Sequence, residues 1–140
     1  TTSVNKGVCY DMRQSVSPYE AIGEERLHKM IDLFYEKVAK HPNLSKIFPD
    51  DLTETARRQK QFQTQFLGGP QLFTQEHGHP MMRRRHLPFP ITPTRAQEWL
   101  ECMSEAMDEV GLDGELRELY FKRLVITAHH MINTPEEDVT

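Results

Sequence analysis

The stretch His77-Gly78-His79-Pro80-Met81-Met82-Arg83-Arg84-Arg85-His86-Leu87-Pro88-Phe89-Pro90 lies inside a non-periodic interruption that runs from Gly68 to Pro93. The sequence on either side is patterned for helix. A connection that long without periodicity is uncommon in a compact domain and is usually functional. This one gathers histidines, arginines, large apolar side chains and prolines in one place. Pro80 can open a short helix, since proline suits the first turn. Pro88 has to stop it, because the residue before a proline is pushed out of the helical region. His86 therefore falls at the end of about two helical turns, with its ring held at a rigid corner. Such a corner presents a single imidazole as a ligand.

Working outward, Ser17-Pro18-Tyr19-Glu20 reads as a helix start. Serine can cap, proline suits the first turn, and the glutamate three residues on completes a capping box. Leu27, Met30, Ile31, Phe34, Tyr35 and Val38 follow as one apolar stripe, and His41-Pro42 ends the element. A second helix is expected from Asp50 or Asp51 to Leu67, with Leu52, Thr55, Ala56, Gln59, Phe62, Gln63 and Phe66 facing inward. Gly68-Gly69-Pro70 terminates it. Thr92-Pro93 starts a third helix on the stripe Ala96, Trp99, Leu100, Met103, Met107 and Val110, and Gly111 closes it. A fourth, from Gly114 to Ile132, carries Leu116, Leu119, Tyr120, Leu124, Thr127, Ala128 and Met131. No strand-like alternation and no internal repeat is visible. The expected fold is all-α with four main helices.

At 140 residues the chain is one domain by length, and it can bury about two-thirds of its unfolded surface. A polar arm is expected over residues 1–17, the helical domain over 18–134 and a short tail over 135–140. The formal net charge of −4 argues against nucleic acid as a partner. The Arg83-Arg84-Arg85 run is too short to outweigh it. Cys9 and Cys102 make no disulfide framework. No segment approaches the ~18 apolar residues of a membrane span, and the N-terminus lacks the apolar run of a signal peptide. A cytoplasmic protein with no membrane partner is expected.

A polar residue on a buried stripe has to find a partner, since leaving it unsatisfied costs ~1–3 kcal/mol. Tyr35, Thr55, Gln59 and Trp99 are such residues, from three different helices. Singly, each can bond a nearby carbonyl. Together they outline a small polar pocket suited to a group with acceptor atoms. Phe34, Phe48, Phe62, Phe66, Phe73 and Phe89 supply an apolar shell around it. Any one of them is explained by core filling. As a set they suit a flat apolar cofactor between helices, because such pockets are mostly apolar with a few placed polar groups.

Three metal chemistries could use His86. Structural zinc takes four ligands, but His77, His79, His86 and Cys102 show no recognised zinc spacing. A di-iron bundle needs Glu-x-x-His motifs, and none precedes His129 or His130. Haem iron needs only one proximal histidine. His28, His41, His129 and His130 read as surface or helix-end residues.

With these residues in hand, the chain resembles a truncated haemoglobin of the group numbered II, a bacterial 2-on-2 globin. Phe34-Tyr35, Phe48-Pro49, Gly68-Gly69-Pro70, His77-Gly78-His79-Pro80, Arg85-His86-Leu87-Pro88-Phe89 and Trp99 carry the resemblance, over residues 19 to 132. It implies a truncated globin fold, a two-over-two helical sandwich around haem b (iron protoporphyrin IX), with His86 as the proximal iron ligand. Tyr35 and Trp99 would match the distal tyrosine and tryptophan, with Thr55 and Gln59 beside them. Arg58 and Arg85 would meet the propionates. Phe34, Phe48, Phe62, Phe73, His79, Met82 and Phe89 would complete the cofactor's surroundings. Phe48 and Phe73 stand where relatives carry tyrosines, which shifts distal hydrogen bonding onto Gln59 and removes a hydroxyl near a propionate.

The resulting expectation is a haem protein that binds dioxygen and other diatomic ligands reversibly and tightly, for transport, storage or sensing. A second reading uses the same iron for redox catalysis, as a peroxidase or in nitric oxide or reactive-oxygen detoxification with a reductase partner. No histidine on the second helix is evident for acid–base work, which disfavours a peroxidase. A third is a helical interaction module without haem.

Overall fold

The computed structural model describes residues 16–136. The expected arm, up to residue 15, and the last four residues of the expected tail lie outside that range. Among the described residues there are seven α-helices: α1 (Pro18–Ile22), α2 (Glu24–Ala39), α3 (Thr53–Phe66), α4 (Leu72–His77), α5 (Met82–His86), α6 (Pro93–Glu109) and α7 (Gly114–Met131), with a 3₁₀ turn at Leu44–Ile47 between α2 and α3. No strand occurs among the described residues. Helix α2 packs along both α3 and α6, and α6 along α7, so one helix pair is stacked on the other. This is the all-α, two-over-two arrangement expected from the sequence.

The apolar stripes fix which faces meet. All six stripe residues of α2, from Leu27 to Val38, are buried. Leu100, Met103, Ala106 and Met107 of α6 and Tyr120 and Leu124 of α7 join them in one core. Fully burying a side chain of this size is worth ~1.5–3 kcal/mol. The stripe of α7 is narrower than expected. Its buried line is Tyr120, Leu124 and Ala128 at four-residue spacing, and Leu119 is half exposed, turned about 100° away by its helical phase.

Helix starts follow the capping chemistry. Ser17 Oγ accepts the Glu20 N–H at 3.1 Å, and Glu20 accepts the Ser17 N–H at 3.2 Å. Thr92 Oγ1 accepts the Arg95 N–H at 3.1 Å, with Pro93 in the first turn. Two expectations need correction. The first helix is two, because Gly23 adopts φ +89 and divides α1 from α2. The long interruption is not wholly irregular, since α4 and α5 lie within it. Pro80 does not open α5. Met81 intervenes in a left-handed conformation, φ 42 and ψ 51, which a right-handed helix cannot include, so α5 has five residues rather than two full turns.

Gly68-Gly69 ends α3 in a Schellman arrangement, with Gly69 N–H donating to Thr64 C=O at 2.8 Å and Gly68 at φ +92. Tyr19 N–H donates to the Leu67 carbonyl at 3.0 Å, which draws α1 onto this corner. A Cβ on Gly69 would lie 2.7 Å from the Tyr19 ring and 2.9 Å from Thr64 Cγ2. Gly69→Ala is therefore expected to lower the unfolding free energy by ~1–3 kcal/mol, the usual cost of overpacking. Urea unfolding of the two proteins checks this, and an unchanged midpoint would show that α1 yields freely.

Candidate functional site

His86 is the last residue of α5. Its Nδ1 lies 2.6 Å from the Met82 carbonyl, one helical turn back. That carbonyl can only accept, so Nδ1 carries the proton and Nε2 carries the lone pair. Among the described residues Nε2 has no hydrogen-bond partner, and the ring lines a cavity of about 470 Å³. The corner is held from outside. Arg83 donates to the carbonyls of His130 and Ile132 at 2.8 Å each, at the C-terminus of α7, where helix carbonyls lack intrahelical partners. Asn133 Nδ2 donates to the carbonyls of His86 and Phe89 at 3.0 Å, and Asn133 Oδ1 accepts the Ile91 N–H at 3.0 Å.

Tyr35, Thr55, Gln59 and Trp99, from α2, α3 and α6, line the same cavity. Gln59 Nε2 donates to Tyr35 Oη at 3.4 Å. Gln59 Oε1 in turn accepts from Gln63 Nε2 at 3.1 Å. Burial pushes the Tyr35 hydroxyl well above its ordinary value of 10.0, against the smaller downward pull of the Gln59 N–H. Tyr35 therefore keeps its proton throughout the physiological range. Neither the Trp99 indole N–H nor the Thr55 hydroxyl bonds another described residue, so both remain available to a ligand.

Phe48, Phe62, Phe73, Phe89 and Met82 supply apolar wall. Phe62 meets Phe73 edge-on at 6.0 Å, and Phe48 meets Tyr35 at 5.9 Å. Arg58 lines the cavity while bonded to Glu54 at 3.2 Å. Arg85 also lines it, but most of its fork is committed to the loop. Nε donates to Pro80 C=O at 2.6 Å, and Nη2 donates to the His77 and His79 carbonyls at 2.9 Å each. Its guanidinium also sits 5.0 Å from the Phe73 ring centre.

Two residues expected around the cofactor, Phe34 and His79, do not line this cavity. Phe34 is fully buried behind the wall, 4.8 Å from the Tyr35 ring and 5.1 Å from Trp99. Its position on the helix aims it at the core between α2 and α6. His79 is exposed and reaches the site only through its carbonyl. His77 is bonded through Nε2 to Gln61 Oε1 at 2.9 Å. His77, His79, His86 and Cys102 do not gather into a cluster of three or more metal ligands among the described residues.

Sequence reasoning missed three contributors. Arg95 lines the cavity although it is only 7% exposed, and it donates to the Asn43 and Pro90 carbonyls. A charged residue in a first helical turn gives no sign of such burial. Asn133 follows the last helix and reads as a loop residue. Gln63 stood on the α3 stripe, and its spacing of four from Gln59 was the available signal.

One imidazole with an anchored Nδ1, aromatic walls, a few hydrogen-bond donors and cations at the rim form a donor set that fits a porphyrin iron. The comparisons agree with that chemistry. Residues 17–133 match the family described as bacterial-like globin. The chain is 66% identical to the group 2 truncated haemoglobin YjbI of Bacillus subtilis over 122 residues, 87% of this chain and 92% of that protein. It superposes on the group II truncated haemoglobin of Bacillus anthracis with a TM-score of 0.88 at 61% identity, covering 90% of this chain and 98% of that one. The structure of an oxygen-avid truncated haemoglobin from Bacillus subtilis gives a TM-score of 0.83 at 67% identity over 84% of this chain and all of that one. This chain belongs to the bacterial-like globins and, among them, to the group II truncated haemoglobins, a family that binds haem.

The Asn133 side chain makes three hydrogen bonds across the His86 corner. Asn133→Ala is expected to cost about 2 kcal/mol of stability and to speed amide exchange at Ile91. Unchanged Ile91 exchange would show that the corner does not depend on this side chain.

Proposed function

We propose that the chain holds haem b through His86 and binds dioxygen reversibly and tightly. The hydrogen bond that His86 Nδ1–H donates to the Met82 carbonyl carries this reading. Metal-bound histidines usually donate their other ring N–H to such an acceptor, which sets the tautomer and raises ligand basicity. Haem held there would supply the iron at which a diatomic ligand could bind, and the residues around it would act as hydrogen-bond donors to that ligand. Tyr35 Oη already accepts from Gln59, so its own proton is directed to the ligand. The Trp99 indole is a second donor. Gln59 orients the tyrosine, and Thr55 is a further hydroxyl beside it.

A hydrogen bond to a charged partner is worth ~1.5–3 kcal/mol, and each ~1.4 kcal/mol is tenfold in affinity. Two such donors hold the ligand about a hundredfold or more longer than an apolar pocket would. Arg58 and the free Nη1 of Arg85 are the cations for the propionates, because a guanidinium fork matches a carboxylate. Phe48, Phe62, Phe73, Phe89 and Met82 would supply the apolar wall that holds the haem. Phe34 acts at one remove, by backing Tyr35 and Trp99. The oxygen-avid relative supports the assignment of the ligand. No helix among the described residues is long and apolar enough to cross a membrane. The buried Cys102 thiol is pushed up to about 11, mainly by desolvation, so it stays protonated in the cytoplasmic setting we propose.

His86→Gly should lose the five-coordinate ferrous spectrum and regain it when free imidazole is added. An unaltered spectrum throughout would overturn the assignment of His86. Tyr35→Phe and Trp99→Phe should each raise the oxygen dissociation rate about tenfold or more. No rise in either variant would remove the distal assignment. Because burial holds the Tyr35 proton in place, the wild-type rate should show no tyrosine-dependent inflection below about pH 9.

A further inference from the structure

The hydrogen bonds at Tyr35 belong to a longer chain that begins in the core of the protein. Tyr120 Oη, on α7, lies 2.5 Å from Gln63 Oε1. Gln63 Nε2 lies 3.1 Å from Gln59 Oε1, and Gln59 Nε2 lies 3.4 Å from Tyr35 Oη. Tyr120 and Gln63 are each only 1% exposed. Tyr120 lies outside the cavity lining, whereas Gln63 borders it from behind Gln59.

Such a chain has two possible directions. A hydroxyl can donate or accept, and a primary amide does both at opposite ends. In one direction Tyr120 donates, each amide passes the donor role onward, and Tyr35 oxygen ends as an acceptor with its own proton free. If both amides turn over, Tyr35 donates its proton to Gln59, Gln63 donates to Tyr120, and nothing is left at Tyr35 for a ligand. The same four residues therefore make Tyr35 either a donor to the cavity or a spent one.

The environment of Tyr120 decides between them. Its hydroxyl has one partner among the described residues, Gln63, and the residue is only 1% exposed. A buried O–H without an acceptor is costly, whereas an under-used hydroxyl oxygen is tolerated more easily. Donation to Gln63 is therefore favoured at the Tyr120 end. At the Tyr35 end the freed proton faces the cavity, where a ligand can accept it. We infer that Tyr120 and Gln63 are positioning residues, which set the hydrogen-bond direction that reserves the Tyr35 proton for the ligand. The inference rests on the proposed role of Tyr35 and extends it into the core, through Gln63 at the cavity's edge to Tyr120 outside its lining.

The test uses the ferrous holoprotein. Tyr120→Phe removes one hydroxyl and keeps the ring, and Gln63→Leu cuts the chain with little change of volume. Both should raise the oxygen dissociation rate by roughly three- to tenfold. Both should also move the C–O stretching frequency of the carbon monoxide adduct toward that of Tyr35→Phe. The Gln59 side-chain amide resonances of the diamagnetic adduct should shift in Tyr120→Phe, a readout independent of ligand release. In a Tyr35→Phe background, Tyr120→Phe should add nothing to the rate or the frequency. Should Gln63→Leu fail to fold, Tyr120→Phe alone decides. If Tyr35→Phe changes the rate and frequency while Tyr120→Phe leaves both at wild-type values, the relay is refuted and the role of Tyr35 stands. An effect of Tyr120→Phe that persists without the Tyr35 hydroxyl also refutes it. If Tyr35→Phe itself changes nothing, the underlying reading falls, and the relay with it.

Discussion

A helix of five residues cannot hold its own shape in water, because the first turn fixes several dihedral angles for one hydrogen bond. Helix α5 ends at the one imidazole on which the site is built, so its orientation has to be imposed by its neighbours. Arg83 ties it to the last carbonyls of α7, Arg85 gathers the loop carbonyls before it, and Asn133 closes the chain after it. Helix α7 in turn rests on α6, and α6 on α2. The direction of the His86 ring is therefore set by the packing of the main helices. It does not come from the local sequence that carries the residue.

The other side of the site follows a different rule. Tyr35, Gln59, Gln63 and Tyr120 put polar atoms into a core that could have been wholly apolar. Each such atom is costly when unpaired, and low dielectric strengthens the bonds that pair it. A satisfied network therefore has few alternative geometries. An apolar core can slip by a rotamer, but a chain of directed hydrogen bonds holds its members in a set order. The Tyr35 hydroxyl accepts from such a chain at its oxygen, and the residue lines the cavity. The aromatic side chains form the apolar part of the wall around it.

Periodicity made the long helices legible, since each stripe is written in consecutive turns of one segment. The Leu27-to-Val38 stripe became the buried face of α2, and the Ala96-to-Met107 stripe became that of α6 apart from Trp99, which opens onto the cavity. The break at Gly23 was missed: glycine weakens a helix interior, but the stripe on its C-terminal side masked that signal. Helix α4 was not legible. Its six residues are held by Gln65, whose amide bonds the Thr74 N–H and hydroxyl, and by Phe73 packing on Phe62. In α5 the prolines marked the limits of the corner, while the left-handed Met81 depends on contacts made elsewhere in the chain.

The sequence by itself determined the helix class, the buried faces of α2 and α6, the His86 corner and the polar side chains Tyr35, Gln59 and Trp99 that line the cavity. These follow from local spacing and from side-chain chemistry that needs no partner to be recognised. Only the tertiary structure decided that Arg95 would be buried, that Phe34 would stand behind the wall and that Arg85 would be spent largely on carbonyls. The pairing of Tyr120 with Gln63 spans 57 positions, and that of Asn133 with His86 spans 47. Contacts that distant carry no periodic signature, because they exist only once four helices have packed and brought their polar atoms within reach.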